Sequence, residues 1–259
     1  MTTQTLSPLA QQVAQQYLHF PLREGVIFPI PYFNNKRIQV RAGLRVMIGK
    51  GSIQEIKEEL EIICLKHKKQ ISTITADEAR TLLIADGIGI DCSGFAYYIL
   101  DAQIRATSQS TLASRITFPH TWNLLRRLIR RWRTIENINV ETFADDKNST
   151  VIPLRDVAPG DYITLIDAGY TGAIDHIMIV EAVDRAEDLP ICIHLIHAFA
   201  WSSEGQTDHG VRQGLIHITD ISKPLLEQIW EEKGKKEKDN ETYKRATEAK
   251  RVEIRRIKK

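Results

Sequence analysis

Cysteine is scarce in this 259-residue chain: Cys64, Cys92 and Cys192 are all it has, scattered and odd in number. Three cannot form the disulfide framework that staples small secreted domains, and at least one thiol must stay free, so the composition fits a reducing compartment. Long apolar runs are missing too. No stretch approaches the ~18 consecutive apolar residues of a membrane span, and MTTQTLSPLAQQVAQQYLHF lacks the basic start and apolar run of a standard signal peptide. Nor does one sign of charge dominate: 35 Lys and Arg against 33 Asp and Glu leave +2, which singles out neither nucleic acid nor membrane as a partner. Repeats and low-complexity linkers are also lacking. The expectation is a single soluble domain over 1–259, cytoplasmic at synthesis; the sequence does not give its oligomeric state.

What is present divides into helices first and strands second. Ser7 before Pro8 has the N-cap and N1 pattern, so a short helix is expected from about Pro8 to Leu18. Residues 19–37 carry three prolines and should be loop, and RIQVRAGLRVMIGKG suits extended structure. Ser52 with Glu55 and Thr75 with Glu78 form two capping boxes, each opening a helix, the second stopping near Gly87. A further helix should run from about Cys92 to Arg105. In TWNLLRRLIRRWR, at 121–133, Trp122, Leu125, Leu128, Ile129 and Trp132 share a helical face opposite arginines. That helix reads as a solvated face over an apolar contact stripe, the alternative being a basic surface for a polyanion. Beyond Pro153 come the strands DYITLID, DHIMIVEAV and ICIHLIHAFA. This order favours α+β over a doubly wound parallel sheet. The segment from about 223 to 259 is charged; its Glu/Lys alternation over 231–250 reads as a solvated helix or mobile segment, with a possible last strand at RVEIRRIKK.

One stretch, GIDCSGFAYYIL, sets a cysteine at the start of an apolar helix. The first N–H groups of a helix lack intrahelical partners and carry the positive end of the macrodipole, so they lower a thiol's pKa and can receive an oxyanion. Asp91 is the natural N-cap, and small Ser93 and Gly94 leave room for a substrate. The competing reading of Cys92 is a buried small hydrophobe. Downstream, alternation places His176 with Met178, Val180 and Ala182 on one strand face, and His197 with Ile193, Leu195 and Phe199 on the next. Either histidine could be a core residue. If the strands are antiparallel neighbours, the two rings could stand together, one as base and one as orienter.

Taken in order, DCSGF, APGDYITLID, DHIMIVEAV and LIHAFA resemble the NlpC/P60 group of papain-like cysteine peptidases, over about residues 88–219. HGVRQGLIHI, from His209 to Ile218, is similar to the Gly-Val-Arg stretch that commonly follows. The resemblance implies an antiparallel sheet with the cysteine at the N-terminus of a packed helix, and it carries catalytic roles onto Cys92, His176 and His197. It further implies hydrolysis of amide bonds, most often in peptidoglycan stem peptides. Members usually carry a Pro-Tyr pair shortly before the cysteine; here the nearest is Pro31-Tyr32, so Tyr32 is expected to line the site with Asp91 and Ser93, and 50–86 and 121–133 to be helical insertions. Lacking a signal peptide, the chain would reach a wall by a non-standard or phage-type route. An intracellular amidase, deamidase or acyltransferase, or an inactive binding module using the basic helix, are the alternatives.

No cofactor or metal is expected. GLRVMIGKGS departs from a phosphate loop, with five residues between Gly43 and Gly49 and with Gly51 where Ser or Thr would bind magnesium. Cys192 and His194 share a strand face, whereas His197 points the other way from Cys192, and no third ligand is evident from the sequence. His194 is then structural, and His209 and His217 have no assignable role.

Overall fold

The computed structural model describes residues 1–33, 44–118, 124–169, 174–205 and 207–259. The extended reading of 37–43, the position of Trp122, and the Arg126 and Arg127 side chains lie outside the described residues.

The chain opens with β1 (Thr2–Thr5), α1 (Pro8–Leu18) and a small hairpin, β2 (Phe20–Arg23) and β3 (Val26–Phe28). Six helices follow: α2 (Ile53–Lys66), α3 (Ala76–Ala85), α4 (Cys92–Thr107), α5 (Leu112–Arg115), α6 (Leu124–Trp132) and α7 (Thr134–Asn137). After α8 (Val140–Ala144) come β4 (Ser149–Val151), β5 (Tyr162–Ala168), β6 (Ile174–Ala186), β7 (Leu189–Phe199) and β8 (Gly210–His217). The described chain ends with β9 (Ile229–Glu232), β10 (Lys235–Lys236), α9 (Glu241–Glu248) and β11 (Arg251–Ile257). The class is α+β. Eight strands run in the order β10-β9-β8-β7-β6-β5-β11-β4, β1 adds to β6, and every pairing in this sheet is antiparallel.

Local chemistry accounts for the helix starts. Ser7 caps α1, and both capping boxes close reciprocally, Ser52 with Glu55 and Thr75 with Glu78. Strand alternation then sorts two cores. Ile177, Ile179, Ile196 and Ala198 join Phe95, Ala96, Ile99 and Leu100 of α4 and Ala10, Ala14 and Tyr17 of α1. Met178, Val180, Ile193, Leu195 and Ile216 face the other way, toward Trp230 and Ala246 of α9. Each fully buried large aliphatic or aromatic side chain contributes roughly 1.5–3 kcal/mol, so α4 is held firmly along its length and its first residue is fixed against β6.

Four expectations fail. Residues 19–37, expected as loop, hold the β2–β3 hairpin, Phe20 pairing Phe28. Arg45–Ile48 is a 3-10 turn rather than extended, closed by Gly49 at φ 73°. The apolar stripe of α6 is not covered as expected: Leu125, Leu128, Ile129 and Trp132 are exposed by 46% or more. The charged segment 231–250 is not a solvated helix, because Trp230 and Glu232 are buried in β9 and only Glu241–Glu248 is helical. Among the described residues, no helix is long and apolar enough to cross a membrane.

Candidate active site

Helix α4 starts at Cys92 because three chain segments converge there. Asp91 Oδ1 accepts from the Gly94 N–H at 2.5 Å and from Lys50 Nζ at 2.9 Å, so the N-cap carboxylate is itself neutralised. The backbone of Lys50 bridges Ile90, as does that of Tyr32, and Asp91 N–H donates to Gly49 O at 2.9 Å. Gly94 must be glycine: a Cβ there would stand 2.8 Å from Gly49 O and 3.0 Å from Lys50 Cδ. Ser93 is buried, its hydroxyl bonded to Lys50 Nζ and to Asp91 Oδ1. Asp91 and Ser93, expected beside the substrate, are therefore engaged in holding the helix start.

Lys50 was not singled out from the sequence. It is buried, and its ammonium also donates to Ile138 O at 3.0 Å. Lys50→Met should cost about 2 kcal/mol in urea unfolding, since it strips a charged donor from Asp91, Ser93 and Ile138 together. An unfolding midpoint unchanged from the native protein's would show that Asp91 does not depend on it.

Cys92 is 7% exposed, and the backbone N–H groups of Ile177 and Ser93 favour its thiolate. Burial pushes the thiol up to about 12; the Asp91 carboxylate adds to the rise and Lys50 works against it. The lowered thiol expected from the helix start is therefore not the resting state. Here desolvation outweighs the helix amides.

His176 follows the same logic with the opposite sign. It is fully buried, and burial, then the nearby His197 and Arg212, hold it well below the ordinary imidazole value. Its Nε2 lies 2.8 Å from His197 Nδ1, and its Nδ1 is buried with no hydrogen-bond partner. The β6–β7 ladder runs from Ile179–Ile196 to Ala186–Leu189, so His176 and Ile177 lie past its end, where the strands no longer pair. That open end lies on the α4 side, where Ile177 joins the core with Cys92. The Cys92 sulfur makes no hydrogen bond to His176 Nδ1, so the expected nucleophile and base are not directly joined in this state. Phe199 stacks at 4.3 Å from the His176 ring, and Tyr32 packs edge-on against Phe199 at 6.2 Å. His209, unassigned from sequence, accepts the Tyr32 N–H at Nδ1 over 3.1 Å.

The relay continues inward. His197 Nε2 is 3.2 Å from Glu232 Oε2, and Glu232 Oε1 is 3.3 Å from Arg212 Nη1. Arg212 also holds Glu204 at 2.6 Å and Phe199 O at 3.0 Å, with its guanidinium over Trp201. Burial works to raise the Glu232 carboxyl, but His197 and Arg212 beside it, with the Thr242 hydroxyl, hold it below the usual carboxylate range. With one proton on each ring, the chain has a single sense. The carboxylate accepts from His197 Nε2–H, His197 Nδ1 accepts from His176 Nε2–H, and His176 Nδ1 is left bare.

Glu232 was missed because it lies in a run of charges. Its signal was IWEEKGKK: a tryptophan strand ending in Lys-Gly, whose positive φ values, 52° and 69°, make a two-residue hairpin that pairs Glu232 with Lys235. No family model, no curated protein and no solved structure matches the chain.

Proposed function

We propose that this protein is a thiol-dependent amide hydrolase with a papain-like arrangement, Cys92 acting as nucleophile and His176 as base, on peptides of the kind found in peptidoglycan stems. The observation that carries the reading is the buried His176–His197–Glu232 series, which leaves His176 Nδ1 bare, in a protein whose Cys92 opens a helix packed on the same sheet. The substrate class rests on the resemblance of DCSGF and the two His-bearing strands to NlpC/P60 peptidases.

The chemistry follows from the two neutral groups. Neither charge is favoured alone in this dry site, so the thiol proton passes to Nδ1 as sulfur attacks the amide carbon, and the pair is created together. The carbonyl π electrons move to oxygen, where the Cys92 N–H, the first of α4, receives them. Collapse expels the amine, which takes the proton back from Nδ1. Water, deprotonated by the same nitrogen, then cleaves the thioester and releases the acid. His197 and Glu232 are positioning residues, holding the tautomer that leaves Nδ1 free.

The test is mass spectrometry of purified peptidoglycan fragments and of a panel of simple acyl amides after incubation with the full chain. Products gaining one water at an amide bond support the reading. Failure to cleave any of them, with binding of a polyanion that is lost when Arg130 and Arg131 are reversed, would favour the binding-module alternative that the exposed α6 stripe keeps in view.

A pH profile follows as well. The base must be unprotonated, and its pKa is depressed, so kcat/KM should hold as pH falls past the ordinary imidazole value of ~6.5 and drop only in more acidic solution. No thiolate absorbance should be lost between the native protein and Cys92→Ser at neutral pH, because the thiol is protonated. An acid limb centred above 6.5, or a Cys92-dependent thiolate signal at pH 7, would mean a preformed ion pair instead.

A further inference from the structure

At the end of the β6–β7 hairpin away from His176 and His197, a second group of chemically active side chains meets. Strand spacing puts Cys192 and His194 on one face, and the sheet supplies what that pair lacked in sequence. Asp184 stands opposite Cys192 on β6, and Cys192 stands opposite His217 on β8. Asp184 Oδ2 is 2.8 Å from His194 Nε2, and donor atoms of Asp184, Cys192 and His194 all lie within 4.8 Å of one another. It is the one such group of three donors among the described residues.

We propose that Asp184, Cys192 and His194 bind a divalent transition-metal ion, zinc by the chemistry of the donors, at a site separate from Cys92. A thiolate, an imidazole and a carboxylate form a mixed S, N, O set that suits zinc, whereas calcium and magnesium take oxygen ligands. Zinc bonds of ~2.0–2.3 Å at tetrahedral angles place donors about 3.3–3.7 Å apart. The present spacing therefore closes with side-chain movements of about 1 Å, on a backbone already held by the ladder.

The surroundings fit as well. Thr3 Oγ1 donates to the other Asp184 oxygen at 2.6 Å, the outer hydrogen bond that orients a ligating carboxylate. His217 Nδ1 lies 3.8 Å from the Cys192 sulfur, next in the row to fill a fourth position. Its Nε2 is 3.4 Å from the Glu231 carboxylate, a natural orienting partner. His194 is half-exposed and, with Glu231, lines an open surface cavity of about 330 Å³. The ladder shifts register between Val180 and Ala182 and again between Asp184 and Arg185, so the hairpin is irregular on both sides of Asp184. A metal here ties β6 to β7, and through Thr3 reaches β1. On binding, the ion displaces the Cys192 thiol proton and replaces the Asp184–His194 hydrogen bond.

Cobalt(II), a coloured stand-in for zinc, tests this on the full chain. One equivalent should give a thiolate-to-cobalt charge-transfer band with the strong visible bands of a tetrahedral site, both abolished by zinc. The spectrum should persist in Cys92→Ser and vanish in Cys192→Ser, and Asp184→Asn and His194→Gln should weaken binding at least about tenfold. Zinc should raise the Tm of the native protein and of Cys92→Ser but not of Cys192→Ser. Absence of the band, its survival in Cys192→Ser, or its loss in Cys92→Ser overturns the site, the last by placing the metal on the catalytic pair. Should Cys192→Ser not fold, Asp184→Asn decides, since it keeps the thiol: undiminished affinity there also overturns the proposal. Because the readout is metal binding, it stands or falls apart from hydrolysis at Cys92.

Discussion

Cys92→Ala should lower amide turnover by roughly 10⁴-fold or more and leave the circular dichroism spectrum of the native protein intact. The size of the loss comes from removal of the covalent route itself: with no sulfur there is no thioester, and water must attack the amide directly. The fold survives because one sulfur atom is lost while Asp91, Lys50 and the Gly94 N–H still define the start of α4. His176→Ala should cost nearly as much, and the double variant little more than either single one, because nucleophile and base act as a unit. Steady-state kinetics on the three variants measures this. More than a tenth of native turnover in Cys92→Ala would remove the thiol from the mechanism.

Arg212→Met should destabilise the protein by about 3–5 kcal/mol, read from urea unfolding. Arg212 is buried between two carboxylates, Glu204 at 2.6 Å and Glu232 at 3.3 Å, and both lose their cation in the variant. Lys233 still reaches Glu204 from the rim, whereas Glu232 is left deep in the sheet with only His197 and Thr242. An uncompensated buried carboxylate is the expensive part. Adding Glu232→Gln to Arg212→Met should therefore recover part of the loss, so the two substitutions will not be additive. Strict additivity would separate Glu232 from Arg212. The same loss of charge frees the His197 tautomer, so activity in Arg212→Met should fall further than stability alone explains.

Much of this was legible in the sequence where one local rule dominates. Ser7-Pro8, the two capping boxes and Asp91 before Cys92 each fix a helix start through hydrogen bonds within a few residues, and all four helices begin there. The α+β class followed from the order of helical and alternating patterns. His176 and His197 were aligned by period-two alternation alone, and they stand 2.8 Å apart. What sequence hid was long-range. Lys50 reaches Asp91 across 41 positions, and Glu232 reaches His197 across 35. In both cases a charged residue, normally solvated, is buried by partners that only the fold brings to it. The same holds for Asp184, whose nearness to His194 depends on strand register. The thiol's pKa failed for a related reason: helix amides are a local feature, but burial of Cys92 in the core between α4 and the sheet is not.

Strand β11 lies between β5 and β4 rather than at an edge. In the sequence it follows them by some eighty residues and more, so β4 and β5 can be joined only by a late arrival. As the chain leaves the ribosome, β5 and β6 can pair at once, but the open side of β5 must wait for residues 251–257. Until then it offers unpaired N–H and C=O groups to any neighbouring chain. Cys92 and His176 are also made before Glu232, so a nascent chain holds the proposed nucleophile and base before it holds the carboxylate that fixes the His197 ring. The order of synthesis thus keeps the proposed chemistry silent until the sheet has nearly closed.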